Sequence, residues 1–492
     1  MAFSMAQDGA GGGADEGAAL GVLAGFRREL YWSLTRRPDA LFGVCDAVLC
    51  GPGRVTDLAR LSLVPEFGRG HGALYDGLNA GHVGVARLRR ALAGLPLPAW
   101  RDGRVRLAVD VSSWLRPDAV TSPERLLCHV PGRGKDAGRV VPGWPYSFVA
   151  ALGPGASSWA VLLDAVRLGP DDDECAVTAA QLREVFARLE AAGHWAPGDP
   201  PVIIAMDAGY NATRLAHLLA GLPVVVVARV RSDRVYWRVP PPKARGVCGR
   251  HARHGAPVRC ADPATQDGAA VEQDGQARHG PVAVTAWHRV HQAVHRHTAG
   301  FEDWPEDREL PVIEGTLIRL SAGAQVPGAP EPEPMWLWAS DPDPGDAGVR
   351  VLWQACLRRF DIEHTFRFIK QQLGWTRPLL RGPAAADRWT WLIICAYAQL
   401  WLARGLAAVT RLPWQPPQPA AAMTPGRVRA GFPRARQAAG TPARTPKPAA
   451  PGPGRPKGSK NKHKAPRHRP GKTTLKQPKQ AKNPRNKAKQ TS

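Results

Sequence analysis

The chain has 492 residues, eight cysteines and a net charge of +24, and it is long enough for two or three domains with a hydrophobic core. The excess charge is a C-terminal feature: all 42 acidic residues lie at or before Asp387, whereas 23 of the 66 Lys and Arg residues follow it. A basic tail of this kind binds polyanions, and nucleic acid is the partner that we expect. The tail lacks the amphipathic pattern that a helix on a membrane surface requires, which argues against a membrane partner.

Cysteine usage and the apolar segments predict a cytoplasmic, nucleoid-associated protein. No CxxC pair occurs, and a chain of this length does not depend on a disulfide framework. Residues 1–19 are rich in Gly and Ala, lack the features of a signal peptide and are predicted to be disordered. The most apolar stretch, residues 389–408, is interrupted by Gln399 and Arg404, which favours a buried helix over a membrane span.

Residues 20–100 contain short apolar-periodic segments separated by Pro and Gly, which predicts a helical domain. Within it, residues 55–67 and 71–81 fit two helices across a tight turn. Two interpretations are open here: a helix-turn-helix that reads DNA ends, or a small helical bundle.

Residues 101–235 have the pattern of a mixed sheet. Three strand-like segments are followed by a helix, a buried strand, a second helix and a further buried strand. Antiparallel strands that lead into βα units are typical of a mixed sheet with helices on both faces. The fold class predicted for this region is therefore α/β.

The rest of the chain divides by composition. Residues 236–348 are rich in Pro, Gly and His and contain strand-like pieces, which predicts a β-rich insertion. The core is predicted to resume over residues 349–410, with a long helix from about 349 to 373 and an apolar helix at 388–408. Residues 411–492 are basic and rich in Pro and Lys, and they are predicted to be disordered in the absence of DNA.

Two aspartates follow hydrophobic runs that contain no other charge. Asp110 is predicted to end the first strand and Asp207 the fourth. In a mixed sheet these strands can be neighbours, and two carboxylates so close repel unless divalent cations lie between them. Two Mg²⁺ ions about 3.5–4 Å apart catalyse phosphodiester chemistry. Taken singly, each aspartate is also typical of a strand-end cap or a turn residue.

Other acidic residues have simpler interpretations. Asp164, in the third strand, is predicted to pair with Arg167. The run Asp171–Asp173 is predicted to be solvated or to cap the following helix, and Asp118 is predicted to lie in a turn.

The strongest candidate acid lies in residues 356–375, which are predicted to be helical. Four charged residues fall on one stripe of this helix, at i, i+4, i+8 and i+11: Arg359, Glu363, Arg367 and Lys370. A solvated face with i,i+4 ion pairs would show the same pattern, but Phe360, Ile362, Phe366, Phe368 and Ile369 leave little of the helix exposed. The stripe therefore favours a groove in which Glu363 faces a metal ion and the cations face phosphates.

Arg359, Glu363 and Lys370 match, at their spacings, a Tyr–two–Arg–three–Glu–six–Lys signature. With this helix, the two aspartates and the strand order, the sequence resembles the DDE transposases of bacterial insertion sequences, in the branch that carries this signature. The resemblance covers about residues 20–410. Cys356 stands at the Tyr position, a departure that removes whatever contact that Tyr makes.

The resemblance implies a ribonuclease-H-like catalytic core that is split by the β-rich insertion. It implies that Asp110, Asp207 and Glu363 are catalytic and hold two Mg²⁺ ions, for which Mn²⁺ can substitute, and that the protein acts on double-stranded DNA as a homodimer. Water would hydrolyse the DNA at the element's end, and the freed 3′-hydroxyl would attack target DNA in line, without a covalent protein–DNA intermediate. The phosphates near the scissile bond would be held by Arg359, Arg367 and Lys370.

Further cations are candidates for DNA contact. Arg229 and Arg231 alternate near the end of the fifth strand and so face one side of it, although solvated arginines at a sheet edge would look the same. In the tail, a Gly-Arg-Pro core at Arg455, followed by Lys457, partly matches an AT-hook for the A·T minor groove. A polycation that does not read sequence is the simpler interpretation, and both predict DNA contact.

Two functions fit the sequence. The leading hypothesis is an active transposase that cleaves DNA at element ends and transfers the strand into target DNA. The alternative is a non-catalytic DNA-binding protein, decayed or repurposed, that uses only the tail and the N-terminal helices. Retention of all three candidate acids favours the first hypothesis, because a binding protein does not need them.

Overall fold

The structure of the chain is a computed structural model. It describes residues 12–130, 138–155, 159–243, 248–249, 251–277, 280–295, 301, 304–323, 332–409, 419–446, 458–459 and 463–471.

The N-terminal part is mainly helical. In chain order it contains α1 (Gly12–Ser33), β1 (Leu34–Arg36), α2 (Pro38–Cys50), α3 (Leu58–Leu61), α4 (His71–Ala80), β2 (His82–Val83) and α5 (Val85–Ala93). The start of α1 lies inside the segment predicted to be disordered. α3 is a single turn, capped by Asp57 (Arg60 N to Oδ1, 2.7 Å) and followed by Pro65, which cannot donate a backbone hydrogen bond. The first of the two helices expected across the turn is therefore only one turn long, and a DNA-binding role for these elements stays a prediction.

The predicted core strands are present, with one short strand added. In chain order the elements are β3 (Arg106–Leu115), β4 (Leu126–His129), β5 (Val140–Leu152), β6 (Ala160–Arg167), α6 (Glu174–Ala191), β7 (Val202–Met206), α7 (Ala212–Leu218) and β8 (Val224–Val230). β3, β7 and β8 are parallel neighbours, while β5 runs antiparallel to β3. The added strand, β4, pairs with the first part of β5.

The strands of the predicted insertion join this same sheet. They are β9 (Val235–Arg238), β10 (Pro257–Arg259), β11 (Val271–Ala277), β12 (Gly280–His291), β13 (Gly315–Ala322) and β14 (Met335–Ala339). β14 pairs antiparallel with β8, so the β-rich segment extends the edge of the core sheet. Within the described ranges the sheet has twelve strands, along the path β10-β9-β12-β13-β14-β8-β7-β3-β5-β4, with β11 on β12 and β6 on β5.

Helices cover both faces of the sheet, as predicted for a ribonuclease-H-like fold. Side chains alternate along β7: Ile203 and Ala205 pack in a core shared with the helix that follows β14, whereas Ile204 and Met206 pack in a core that includes α6. This alternation explains why the strand is hydrophobic throughout, since both of its faces are buried.

Five helices complete the described chain: α8 (Gly345–Arg358), α9 (Phe360–Gln371), α10 (Pro383–Leu402), α11 (Arg404–Val409) and α12 (Pro425–Ala439). The single helix predicted from about 349 to 373 is divided at Arg359, which keeps helical backbone angles (φ −49°, ψ −33°). α10 is buried along most of its length. Within the described residues, no helix is both long enough and apolar enough to cross a membrane.

The tail predicted to be disordered contains the ordered helix α12. Val428, Phe432 and Ala435 recur at i, i+4 and i+7 and are buried, which gives the helix an apolar face. Arg429 donates to the carbonyl oxygens of Val48 (3.0 Å), in the last turn of α2, and of Gly51 (3.0 Å), just after that helix. Composition alone therefore misled the prediction, because a few apolar residues at helical spacing were sufficient for docking.

A second part of the tail lies along the edge strand β4. Leu127 N donates to Gly471 O (3.2 Å), and Gly471 N donates to Arg125 O (2.7 Å). Arg125 Nη2 also donates to His468 O (2.9 Å). These bonds occupy backbone groups at a sheet edge that would otherwise face solvent.

Candidate active site

Asp110 and Asp207 lie side by side on adjacent parallel strands. Ala108 of β3 is opposite Ala205 of β7, and each aspartate comes two residues later along the chain. Asp207 follows the last residue of β7, as predicted. Asp110 lies inside β3 and not at its end, because β3 continues to pair with β5 as far as Leu115 after β7 has ended.

Each aspartate has one oxygen bound by the backbone. Val111 N donates to Asp110 Oδ1 (2.8 Å), and Gly209 N donates to Asp207 Oδ1 (2.9 Å). Burial and the charge of Asp207 raise the pKa of Asp110 to about 7, although Arg359 lowers it. The two carboxylates therefore repel each other in a poorly solvated position.

Arg359 joins Asp110 to Glu363. Its Nη1 lies 3.0 Å from Asp110 Oδ2, and its Nη2 lies 2.8 Å from Glu363 Oε1. Burial lowers the pKa of Arg359, but the charges of Asp110, Asp207 and Glu363 raise it above its ordinary value. Glu363 is in the first turn of α9, where the positive end of the helix dipole favours a carboxylate.

This arrangement has the donor chemistry of a divalent-cation site. Within the described part of the chain, no three His, Cys, Asp or Glu side chains converge as metal ligands, and the Arg359 guanidinium lies between Asp110 and Glu363. Carboxylate oxygens are the ligands that Mg²⁺ prefers, and a positive charge already stabilises this position. The residues therefore fit a divalent cation, provided that Arg359 moves away from one of its partners.

Lys370 lies near the acids, whereas Arg367 does not contribute to the cluster. Burial lowers the pKa of Lys370 and the charge of Asp110 partly restores it, so the ammonium group lies within electrostatic reach of Asp110. Its Nζ is 5.6 Å from the ring centroid of Trp375. Arg367 is exposed on the same helix.

Cys356, at the Tyr position of the signature, is buried under this cluster. Burial raises the pKa of its thiol to about 12, although Arg359 and Arg229 lower it. Arg229 is exposed within β8, and Arg231 lies beyond the end of that strand, also exposed. The tail candidates Arg455 and Lys457 lie outside the described residues.

Two acidic residues outside the aspartate pair have structural roles. Asp164 does not pair with Arg167; it is fully buried and binds Arg89 (Nη2 to Oδ1, 3.0 Å) and Arg188. The predicted ion pair between Asp164 and Arg167 does not form, because Arg167 is the last residue of β6 and binds Asp387 (3.0 Å). Asp173 caps α6, as predicted, by accepting hydrogen bonds from two backbone N–H groups.

Sequence reasoning missed Glu174 as a neighbour of the site. Burial, together with the charges of Asp207 and Asp173, raises the pKa of this carboxyl to about 7. In the sequence Glu174 follows a run of three aspartates, and it is indistinguishable there from the acidic first turn of any helix. Only the packing of α6 against the β7–α7 loop brings it close to Asp207.

The fold and the carboxylate cluster define an enzyme of the class that cleaves phosphodiester bonds on a ribonuclease-H-like sheet. A family model described as DDE superfamily endonuclease matches residues 29–293. Because the match spans more than half of the chain, the protein belongs to the DDE superfamily of endonucleases. The matched segment includes Asp110 and Asp207 and ends before Glu363. No curated protein matches the sequence.

Membership confirms the predicted family, although the branch with the Tyr–Arg–Glu–Lys signature stays a prediction. The chain is accordingly a nuclease of the transposase type with DNA as its substrate, and nucleases of this family typically use divalent metal ions.

Proposed function

We propose that the protein is a DNA transposase that cleaves DNA at the ends of its element and joins the freed 3′ end to target DNA. Asp110, Asp207 and Glu363 are its catalytic and metal-binding residues. When bound, two Mg²⁺ ions, or Mn²⁺ in their place, supply activation of the attacking oxygen and stabilisation of the leaving oxygen.

One observation carries the proposal: three acids from separate parts of the chain lie around the partly buried guanidinium of Arg359. Asp110 and Asp207 are neighbours by strand register, and Arg359 connects Asp110 to Glu363 through contacts of 3.0 and 2.8 Å. Carboxylates that repel each other destabilise the fold unless a cation lies between them, so a cluster of this kind is typical of a ligand-binding site. The match to the DDE endonuclease family supports the same conclusion for the two aspartates.

The cations around the cluster bind the DNA backbone in this proposal. Arg359 offers a planar fork of donors that suits a phosphate as well as a carboxylate. Lys370 lies beside Asp110 and adds a second positive charge near the scissile phosphate. Arg367, Arg229 and Arg231 are exposed and extend the contact along the duplex, and Arg455 and Lys457 bind it from the tail.

The test is cleavage of a DNA end in Mg²⁺, with the inverted repeats that flank the coding region as substrate. We expect Asp110→Ala, Asp207→Ala and Glu363→Ala each to reduce cleavage by at least about a thousandfold while DNA binding persists. Asp118→Ala is the matched control, since Asp118 is an exposed turn residue. If the three site variants cleave as well as the wild type, the assignment is wrong.

The alternative function, a non-catalytic DNA-binding protein, predicts a different outcome in the same assay. The wild type would bind the end and not cleave it in Mg²⁺ or Mn²⁺. The buried cluster favours the enzyme, because DNA binding through a basic tail does not require repelling carboxylates in the core.

We also propose that the protein acts as a homodimer on DNA, associated with the nucleoid in the cytoplasm. Two element ends must be cut and joined together, and one active site per end requires two copies. Light scattering on the protein with and without an end duplex measures this directly: a mass corresponding to two chains and two duplexes supports the dimer, and a one-to-one complex at cleaving concentrations contradicts it.

A further inference from the structure

The basic tail contacts the core sheet through residues 463–471, here called the edge segment. Gly471 forms a parallel bridge with Leu126 of β4. Three residues before it, His468 N donates to Val120 O (2.9 Å), in the loop that precedes β4. These contacts are made by the backbone of the edge segment and not by its charged side chains. The edge segment therefore adds to the sheet in the way that a peptide adds to an exposed strand.

A buried arginine helps to hold the edge segment. Arg125 is 3 % exposed, and its guanidinium donates to the backbone carbonyl oxygens of Ser122 (3.0 Å), Arg116 (3.1 Å) and His468 (2.9 Å). In return, Gly471 N donates to Arg125 O (2.7 Å). The edge segment thus supplies one of three acceptors to a buried cation, and its loss would leave part of the guanidinium without a partner.

The end of the edge segment fits closely against its neighbours. A Cβ added at Gly471 would lie 3.0 Å from Pro170 Cβ and 3.1 Å from Leu126 Cδ2, whereas ordinary van der Waals contact is 3.4–4 Å. A larger residue at this position would therefore displace the end of the edge segment from β4.

Three cations of the edge segment face solvent. Lys464, Arg467 and Arg469 are all exposed, and the chain has no acidic residue after Asp387. Because backbone docking fixes the segment, these cations lose less conformational freedom on binding a ligand than they would on a freely moving chain. The arrangement suits a polyanion with closely spaced charges.

The edge segment lies within reach of DNA that is bound at the carboxylates. Leu115, five residues after Asp110 on β3, is opposite Gly143 of β5, which is also opposite Leu126 of β4, the partner of Gly471. With about 3.4 Å per residue along a strand and about 4.8 Å between strands, this register separates Gly471 from Asp110 by about 22 Å. One helical turn of DNA is longer, about 34 Å, so a single duplex can reach both.

We propose that the edge segment binds phosphates of the duplex on which the carboxylate cluster acts, through Lys464, Arg467 and Arg469. The inference rests on the proposed function for the position of the scissile bond, and it deepens that function. DNA is the substrate of the family, and Lys and Arg that neutralise phosphates position a duplex without reading its sequence. This part of the tail acts as a fixed element of the sheet and not as a flexible polycation.

The charges are tested by fluorescence anisotropy with the full chain and a labelled duplex that carries the flanking inverted repeat. We expect the combined Lys464→Gln, Arg467→Gln and Arg469→Gln variant to make the slope of log K against log salt shallower by about 2–3. An unchanged slope would exclude the three cations from the DNA contact and overturn the proposal.

The fixed position is tested by Gly471→Val, which leaves the net charge unchanged. We expect trypsin to cleave faster after Arg467, because the edge segment is displaced, and the duplex to bind about fivefold more weakly at constant salt. Gly323→Val is the matched control, since a Cβ at Gly323 meets no atom within 4 Å. This control should behave as the wild type does in both measurements.

A second variant covers the case in which Gly471→Val stays protected from trypsin. Gly471→Pro also removes the N–H that donates to Arg125 O, so it displaces the edge segment by a different route. Wild-type affinity for the duplex in a variant that trypsin cleaves faster after Arg467 would show that the fixed position does not matter, and would overturn the proposal.

Combining the two kinds of variant gives a stricter test. The triple substitution in the edge segment should reduce affinity less in the Gly471→Val background than in the wild type. Lys482→Gln, Arg485→Gln and Lys487→Gln remove the same charge outside the edge segment. Their effect should be the same in both backgrounds, and an equal dependence on background for the two sets would contradict a role of the docked position.

Cleavage assays separate this inference from the proposed function. If Asp110→Ala and Glu363→Ala cleave as the wild type does while the edge-segment variants bind DNA more weakly, the catalytic assignment is wrong and the edge segment remains a DNA-binding surface. If the acid variants lose cleavage while the edge-segment variants bind DNA as the wild type does, the proposed enzyme stands and the edge segment is not part of its interface.

Discussion

At the scale of residues, the central feature is an arginine shared by two acids. Arg359 is 249 residues from Asp110 along the chain and reaches it from the junction of α8 and α9. Its guanidinium has one nitrogen for Asp110 and another for Glu363, so these contacts compete with any phosphate that Arg359 binds. The same charge also compensates the repulsion between Asp110 and Asp207. A cation or phosphate that binds at the site would therefore have to displace the Arg359 guanidinium from Asp110 or Glu363.

Removal of this charge should destabilise the metal-free protein. Arg359→Ala leaves Asp110 partly buried beside Asp207 without a counter-charge, and we expect unfolding in EDTA to become easier by about 3 kcal/mol. Mn²⁺ should stabilise the variant more than it stabilises the wild type, because a bound cation replaces the lost one and no guanidinium competes with it. Urea unfolding with EDTA and with Mn²⁺ measures both effects.

Arg367→Ala is the control for this prediction, since Arg367 lies on the same helix and is exposed. It should leave the stability unchanged in both buffers. Equal stability of Arg359→Ala and the wild type in EDTA would show that the ion pairs contribute nothing to the fold.

At the scale of elements, α12 connects the basic tail to the N-terminal bundle. Asp46 of α2 accepts hydrogen bonds from Arg27 of α1 (2.8 Å) and from Arg436 of α12 (2.8 Å). Arg27 also donates to Gln399 of α10 (2.6 Å). One buried carboxylate therefore ties α12 to α2 and α1, and through Arg27 to α10, so α12 is a structural part of the bundle.

Docking of α12 predicts that the tail contributes to stability. Phe432→Ala should lower the free energy of unfolding by about 3–4 kcal/mol, because Phe432 is fully buried between α12 and the bundle. Gln437→Ala, an exposed change on the same helix, should have an effect within about 0.5 kcal/mol. Chemical denaturation followed by circular dichroism measures both. Equal stability of the two variants would show that α12 does not dock in solution.

At the scale of the whole molecule, the excess positive charge and the catalytic core lie in different parts of the chain. The proposed catalytic acids lie on β3, just after β7 and on α9, whereas the basic excess follows Asp387. In the proposed function, a polycation attached to a nearly neutral body supplies affinity for any duplex, while the carboxylate cluster supplies the chemistry. The last 21 residues, 472–492, contain seven Lys and Arg residues and no acid.

Removal of residues 472–492 should weaken DNA binding in a salt-dependent manner. If all seven cations contact phosphates, the slope of log K against log salt becomes shallower by about 6. Cleavage at saturating DNA should be unchanged, because none of the proposed catalytic acids lies in this segment. Fluorescence anisotropy with a duplex over a series of NaCl concentrations measures the slope. Identical slopes for the two proteins would exclude the segment from the DNA contact.

Local patterns in the sequence were sufficient to predict the long strands of the core and the aspartate that follows β7. The charged stripe holds only in part, because Arg367 is exposed and lies apart from Arg359 and Glu363. Local patterns failed for Asp164, whose arginine partners come from α5 and α6 and not from its own strand. They also failed for α12, where Ala, Arg and Pro make up ten of the fifteen residues although three apolar residues have helical spacing. The spacing of hydrophobic residues shows which face of a helix or strand is buried, but it does not show which distant element covers that face.

The elements and the chemistry available to them follow from local sequence: alternating and helical hydrophobic patterns, acids after hydrophobic runs, and a basic tail without counter-charge. Which acids meet depends on the three-dimensional arrangement of those elements. Strand order and register place Asp110 beside Asp207. Arg359 reaches Asp110 from the junction of α8 and α9. The packing of α6 places Glu174 near Asp207. The physical reason is that hydrogen bonding along a helix or strand is local, whereas electrostatic contact depends on distance in space between residues far apart in the chain.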